Sequence, residues 1–276
     1  MKKLFVYSLF FLIFFTTYSQ FLNTEKYLHA DEKMVLNVKQ FSQFVSRFNY
    51  KEDFSGNPIT QEFKTNFPRQ VYIGYLFNVK DPRLNEQNTD NENYQKTVKE
   101  FIDKVVADSL KIKRFSEKNY VEAKCDILFK SQKRELILIL RPEHVNDGVK
   151  WVIADVLNIE DIILKNVDVP EVFIPPTSNE LNFTHLKRAF EDKDNFYNYY
   201  SDEYQQNPMN RLNHEVEQGN IVFNHVTKLT YNIFEIDGWI IKVEEFIRDD
   251  INSGWLISNI EKTNLDEKTY FRRETR

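Results

Sequence analysis

Apolar residues along this chain change period in an ordered way, and the change divides it into helical and extended stretches. From Leu36 to Phe48, the positions Val38, Phe41, Phe44, Val45 and Phe48 recur at three- and four-residue spacing, which predicts a helix with one apolar face. "NFPRQVYIGYLFN" predicts a short second helix with Pro68 near its first turn. After the polar run "DPRLNEQNTDNEN", Val98, Phe101, Ile102, Val105, Val106 and Leu110 form the stripe of a longer amphipathic helix. The period then shortens to two. Residues 119–130, 135–140 and 149–157 read as strands, with turns at Arg141-Pro142 and Asn146-Asp147-Gly148.

The same order recurs further on. Phe183, Leu186 and Phe190 mark a helix, Met209, Leu212 and Val216 mark another, and Gly219 ends the helical region. Strands are expected over 221–236, 239–248 and 255–261, with Asp237-Gly238 as a hairpin turn and Asn252-Ser253-Gly254 as the next. Between the two series lies "KNVDVPEVFIPPTSNE". Pro170, Pro175 and Pro176 remove amide donors and favour extended backbone, so neither a helix nor a central strand should cross it. The domain plan is therefore a first α+β module over 30–164, a proline-rich linker over 165–179, a second α+β module over 180–264 and a polar tail over 265–276. In each module helices precede a curved antiparallel sheet.

Each series ends on one local pattern. "GVKWVIADV" and "SGWLISNI" align from Trp151 and Trp255, with Ile153 opposite Ile257 and Asp155 opposite Asn259. Helices followed by a curved sheet that ends in such strands resembles the NTF2-like and cystatin-like α+β group, in the tandem form found among exported proteins of Bacteroidetes type. The resemblance covers roughly residues 35–160 and 180–262. It implies a fold and no single activity, because that group holds small enzymes, ligand binders and interaction modules.

The first residues add a destination. Lys2 and Lys3 precede an apolar run from Leu4 to Phe15, and Thr17 and Ser19 supply small side chains after it. That order is the one a signal peptide has, here over 1–19 with cleavage after Ser19, and it places the mature chain in the periplasm or outside the cell. The run is shorter than the roughly 20 residues a spanning helix needs, so no membrane span is expected after cleavage. One cysteine, Cys125, rules out an internal disulfide and sits among alternating apolar residues as a buried strand residue. A net charge of −5 with both signs mixed lacks the basic footprint of a nucleic-acid binder.

Candidate chemistry is sparse. His214-Glu215 begins like a zinc-protease motif, but Gln218 stands where the second histidine is needed, so no metal and no cofactor is implied. His225 interrupts the predicted apolar face Ile221, Phe223, Thr227, Leu229, Tyr231, Ile233 of its strand. In a pocket it could act as a general base; as a core or rim residue it would only be hydrogen-bonded. Asp155 could be an inward carboxylate of raised pKa, or a structural residue, as Asn259 at the matching position suggests. Tyr197, Tyr199, Tyr200 and Tyr204 concentrate rings with polar tips, either for contact with a ligand or partner or for packing at a helix junction. The expectation is an exported non-catalytic protein that binds a protein partner or small ligand in the cell envelope. The alternatives are a small pocket enzyme, a hydrolase or isomerase with His225 as base, and a structural component of an envelope assembly.

Overall fold

The computed structural model describes residues 37–38, 40–85, 91–146, 148–159, 186–201, 206–249, 252–266 and 269–271. The expected signal segment 1–19 and the proline-rich segment 165–179 lie outside them. Among the described residues the elements run β1 (Asn37–Val38), α1 (Phe41–Phe48), α2 (Gln61–Asn66), α3 (Arg69–Gly74), α4 (Glu92–Ala107), β2 (Asn119–Phe129), β3 (Gln132–Val145), β4 (Gly148–Val156), α5 (Leu186–Glu191), α6 (Gln206–Glu217), β5 (Ile221–Ile233), β6 (Trp239–Phe246) and β7 (Ser253–Lys262). Short 3-10 turns lie at Pro82–Leu84 and Lys193–Tyr199. The fold is α+β, with an open antiparallel sheet and several helices.

Two compact units divide the chain, and neither is a continuous half. The first comprises residues 1–112 and 245–261, the second residues 113–244 and 262–276. In the second unit β2 pairs antiparallel with both β3 and β5, β3 with β4, and β5 with β6. Strands from the two sequence halves therefore share one sheet, where one sheet per half was expected. Ladder pairing between strands some hundred residues apart leaves no local signature, which is why the helix-then-strand order suggested two closed modules.

In the first unit the stripes of α1 and α4 meet as a series of rings. Phe41, Phe44 and Phe48 follow one another at 5.8 and 6.1 Å, Phe48 reaches Phe101 at 6.4 Å, and Phe101 reaches Phe77 at 6.3 Å. Trp255 of β7 stands edge-on to Phe41 at 6.2 Å. The exposed side of α4 carries Lys96–Glu92 and Lys104–Asp108 pairs one turn apart. Val38, expected on the helical face, belongs instead to β1, which runs parallel to β7. Arg69 ties the helix ends together. Its guanidinium donates to the carbonyl of Phe48 at the end of α1 and to those of Val105 and Leu110 at and just beyond the end of α4.

Turns set the second unit's sheet. Lys130 and Ser131 both have positive φ, 48° and 67°, the backbone a two-residue hairpin loop demands, so β2 and β3 join directly. Neither residue is a usual choice there, and the turn was not predicted. Arg141-Pro142, expected as a turn, instead lies inside β3, which runs on to Val145. Pairing of β3 with β2 stops at Leu140, and Pro142 pairs only with Trp151 of β4, so its missing N–H costs no ladder bond. Val121, Ala123, Cys125 and Ile127 of β2 are buried on one face, as the alternation predicts. Burial raises the Cys125 thiol's pKa, consistent with an inert core residue. Gly219, at φ 69°, ends α6 as expected.

Candidate functional site

His225 is the residue whose surroundings the sequence left open, and the register of β5 decides them. Pairing runs Lys124↔Lys228, Cys125↔Val226, Asp126↔His225, Ile127↔Phe223. Thr227 and Asn224 are thus extra residues, one on each side of His225. Each bulge shifts the two-residue alternation by one, so the pair turns the strand over and back within five residues. Val226 takes the inward place beside buried Cys125, and His225 points to the opposite face with Asp126. The apolar face predicted from Ile221 to Ile233 is correct at its ends and inverted in the middle: His225 and Thr227 are exposed, while Phe223 and Leu229 are buried.

At this place the outer face carries a polar group set. The His225 ring nitrogen Nδ1 lies 4.0 Å from Asp126 Oδ2, and the histidine side chain is 65% exposed. Asn224 donates to the same carboxylate oxygen at 3.4 Å, and the Thr227 hydroxyl donates to the Lys124 carbonyl at 3.1 Å. Lys124 lies 3.6 Å from Glu135, and Lys228 lies 2.6 Å from Glu244. Val222, three residues along β5 and opposite Leu128, leaves half its surface in solvent. An imidazole open to water beside a partly exposed carboxylate is suited to recognising a charged or hydrogen-bonding group. Proton transfer to or from a substrate would instead need positioning and exclusion of water.

The register of β4 decides where Asp155 points. Ala154 is a bulge, since Leu140 pairs with Ile153 and Ile139 with Asp155. Asp155 therefore leaves the face of Trp151 and takes the other, where its Oδ1 accepts from the Val156 amide at 2.8 Å. Tyr199 and Tyr200 are buried. Tyr200 lies edge-on to Phe196 at 5.5 Å, its hydroxyl donates to the Met209 carbonyl at 3.3 Å, and its backbone bridges to Ile153 of β4. These two tyrosines serve the junction of helices and sheet edge and offer no contact surface. The side chain of Tyr197, and Tyr204 altogether, lie outside the described residues.

A second constellation escaped sequence reading. Glu143 is buried, accepts from Ser201 Oγ at 2.7 Å and from Arg141 Nη2 at 2.9 Å, and has Lys150 Nζ at 3.5 Å. Arg141 also donates to Ser201 Oγ at 2.9 Å. Burial pushes the Glu143 carboxyl up, but the Ser201 and Arg141 bonds, with the Arg141 and Lys150 charges, outweigh it and hold the group below its ordinary value. Such a carboxylate is a weak base, poorly suited to activating Ser201. It fastens residue 201 to the β3–β4 hairpin. The signal available beforehand was pairing across Asn146-Asp147-Gly148, which sets Glu143 opposite Lys150.

Among the described residues no three His, Cys, Asp or Glu side chains converge to hold a metal. His214 is exposed, and Glu215 accepts from Asn220 at 2.7 Å. No helix among the described residues is long and apolar enough to cross a membrane. No family model matches the chain, and no curated protein and no solved structure is similar enough to count as a match.

Proposed function

We propose that this is an exported, non-catalytic protein of the cell envelope that binds a partner through the outer face of its second unit, centred on His225 and Asp126. The signal-like first 19 residues support export. An NTF2-like or cystatin-like origin of the sheet belongs to the same reading and rests on the α+β order and the open antiparallel sheet.

The paired bulges carry the proposal. Bulges interrupt ladder pairing at a cost, and these two, within five residues, put Val226 in the inward place and turn His225 to the outer face. They set histidine, carboxylate, amide and a half-exposed valine together on an open surface, a mixture of polar and apolar groups suited to a partner's surface. The rival reading, His225 as the general base of a pocket enzyme, draws on the nearby Asp126. A side chain 65% exposed is a poor fit to it.

The test uses a photoreactive side chain at Val222 in cells. One discrete crosslinked species is expected, and it should disappear when His225→Ala and Asp126→Ala are added. The same probe at exposed Ser109 in the first unit should give none. A crosslink indifferent to the two substitutions, or none at all, removes the reading. Turnover of a small ester or isomerisable substrate, abolished by His225→Ala, would replace it with the enzyme. Export has its own check: the mature chain should begin at or near Gln20 outside the cytoplasm, and an intact Met1 there would refute cleavage.

A further inference from the structure

The outer face of the second unit's sheet changes character along its length. Around Asp126 and His225 it is polar. Near Tyr120 it is apolar, where Ile139, Phe234 and Ile240 are buried and Tyr120, Ala154 and Leu157 pack against them. Two consecutive rings from far along the chain, Tyr270 and Phe271, cover this patch and are themselves buried. Tyr270 stands edge-on to Phe234 at 5.5 Å, and Phe271 lies 6.1 Å from Phe234 and 5.6 Å from Tyr120. The Lys242 ammonium sits 5.4 Å from the centre of the Tyr270 ring.

These rings lie outside the strand ladders, while most of the patch beneath belongs to strands. Asp266 accepts from the Thr269 amide at 2.8 Å and from its hydroxyl at 3.0 Å, and its carbonyl accepts from the Tyr270 amide at 3.0 Å. No strand ladder includes residues 264–271 among the described residues. Ile139 is fixed by pairing with both Glu122 and Asp155, whatever the rings do. The polar tail expected over 265–276 thus contains a hydrophobic anchor, and its sequence "TYFRR" hides that anchor among charges.

We propose that this patch is a recognition site for a pair of consecutive aromatic residues, filled in cis by Tyr270 and Phe271, and that these rings form a strap which opens without the sheet and can be replaced by an aromatic peptide. The site lies at the far end of the face from His225, beyond the surface proposed above, and stands or falls independently of it.

Hydrogen exchange on the full chain tests the first part. The Thr269 and Tyr270 amides should exchange through a local opening insensitive to low denaturant, while those of β2 and β5 exchange only with global unfolding. Exchange of all of them in one cooperative step would make the rings ordinary core and overturn the proposal. A synthetic peptide of residues 264–273, added to the full chain carrying Tyr270→Ser and Phe271→Ser, tests the second. Binding should saturate and be roughly tenfold or more tighter than for the same peptide with both rings replaced by serine. Equal binding of the two peptides, no binding to a variant that keeps its far-UV spectrum and cooperative melt, or failure of that variant to fold would each overturn it.

Discussion

Trp151 and Trp255 stand in one local pattern, glycine before and Ile-small-Asp/Asn after, yet they serve different units. Trp151 is buried in β4, where it faces Pro142 across the ladder of the second unit. Trp255 is buried in β7 of the first unit, against the Phe41 ring. The position after the small residue differs with its setting. Asp155, displaced by the Ala154 bulge, bonds the next amide of its own strand. Asn259 accepts from Arg83 at 2.8 Å, and the same guanidinium bonds the Ser258 carbonyl and the Asp81 carboxylate while lying 4.1 Å from the centre of the Tyr94 ring. A shared strand pattern therefore predicts burial of its tryptophan and nothing about the chemistry three or four residues on.

The largest effects should come where the two strands are alike. Trp151→Ala and Trp255→Ala should each lower unfolding stability by about 3–5 kcal/mol, a large part of a domain's usual margin, in urea titrations. Hydrogen exchange should place the first loss in β3–β4 and the second in α1 and β7. Equal loss of protection throughout both units would erase the distinction between them.

Next come the charge clusters that fasten each strand's neighbourhood. Glu143→Ala leaves the Arg141 and Lys150 charges together without their carboxylate and should cost about 3 kcal/mol. Its pH dependence has a definite sign. The folded pKa lies below the unfolded one, so the Glu143 contribution is complete above the unfolded value near 4.3 and fades as pH falls through the depressed folded value. Urea midpoints of wild type and Glu143→Gln should therefore converge on acidification. Asp81, which burial raises but the Arg83 bonds and charge hold low, has the same sign in the first unit. Burial raises Glu235 despite bonds from Lys113, Asn119 and Ser116, so its sign is opposite: its contribution is present below the unfolded value and lost as pH rises through the folded one. Glu235→Gln should accordingly gain relative stability as pH rises.

Arg83→Met should cost less, about 1 kcal/mol, because the side chain of Arg83 is 39% exposed and solvent screens its pair. The smallest effects test the difference between Asp155 and Asn259. Asp155→Asn keeps an oxygen to accept from the Val156 amide and should fall within about 0.5 kcal/mol of wild type. Asn259→Asp should be neutral or slightly stabilising beside Arg83, and a large loss there would show that Asn259 makes its bond through a donor that aspartate lacks.

Much of the secondary structure was legible in the chain. The stripes of Phe41–Phe48 and Val98–Val105, the alternation around Cys125 and the stop at Gly219 are local signals read directly from spacing. What could not be read depends on partners distant in sequence. The Thr227, Asn224 and Ala154 bulges exist only relative to a neighbouring strand, and they decide where His225 and Asp155 point. The β2–β5 ladder joins residues about a hundred apart, and Tyr270-Phe271 looks like a tail until the patch it covers is known. Tyr199 and Tyr200 were ambiguous because the same ring and hydroxyl suit a surface or a junction; the Met209 carbonyl and the β4 edge decide for the junction.

The division of the chain has a consequence for the order of assembly. The first unit draws its helices from early residues and β7 from residues beyond the whole sheet of the second. During synthesis, the Phe41 ring emerges long before Trp255 arrives to pack against it. The helical unit must wait with part of its core open while β2 to β6 form, an interval in which a chaperone would find its target. Circular permutants that bring residues 245–261 next to residue 40 should shorten that wait, and refolding of the first unit should then no longer lag behind the second.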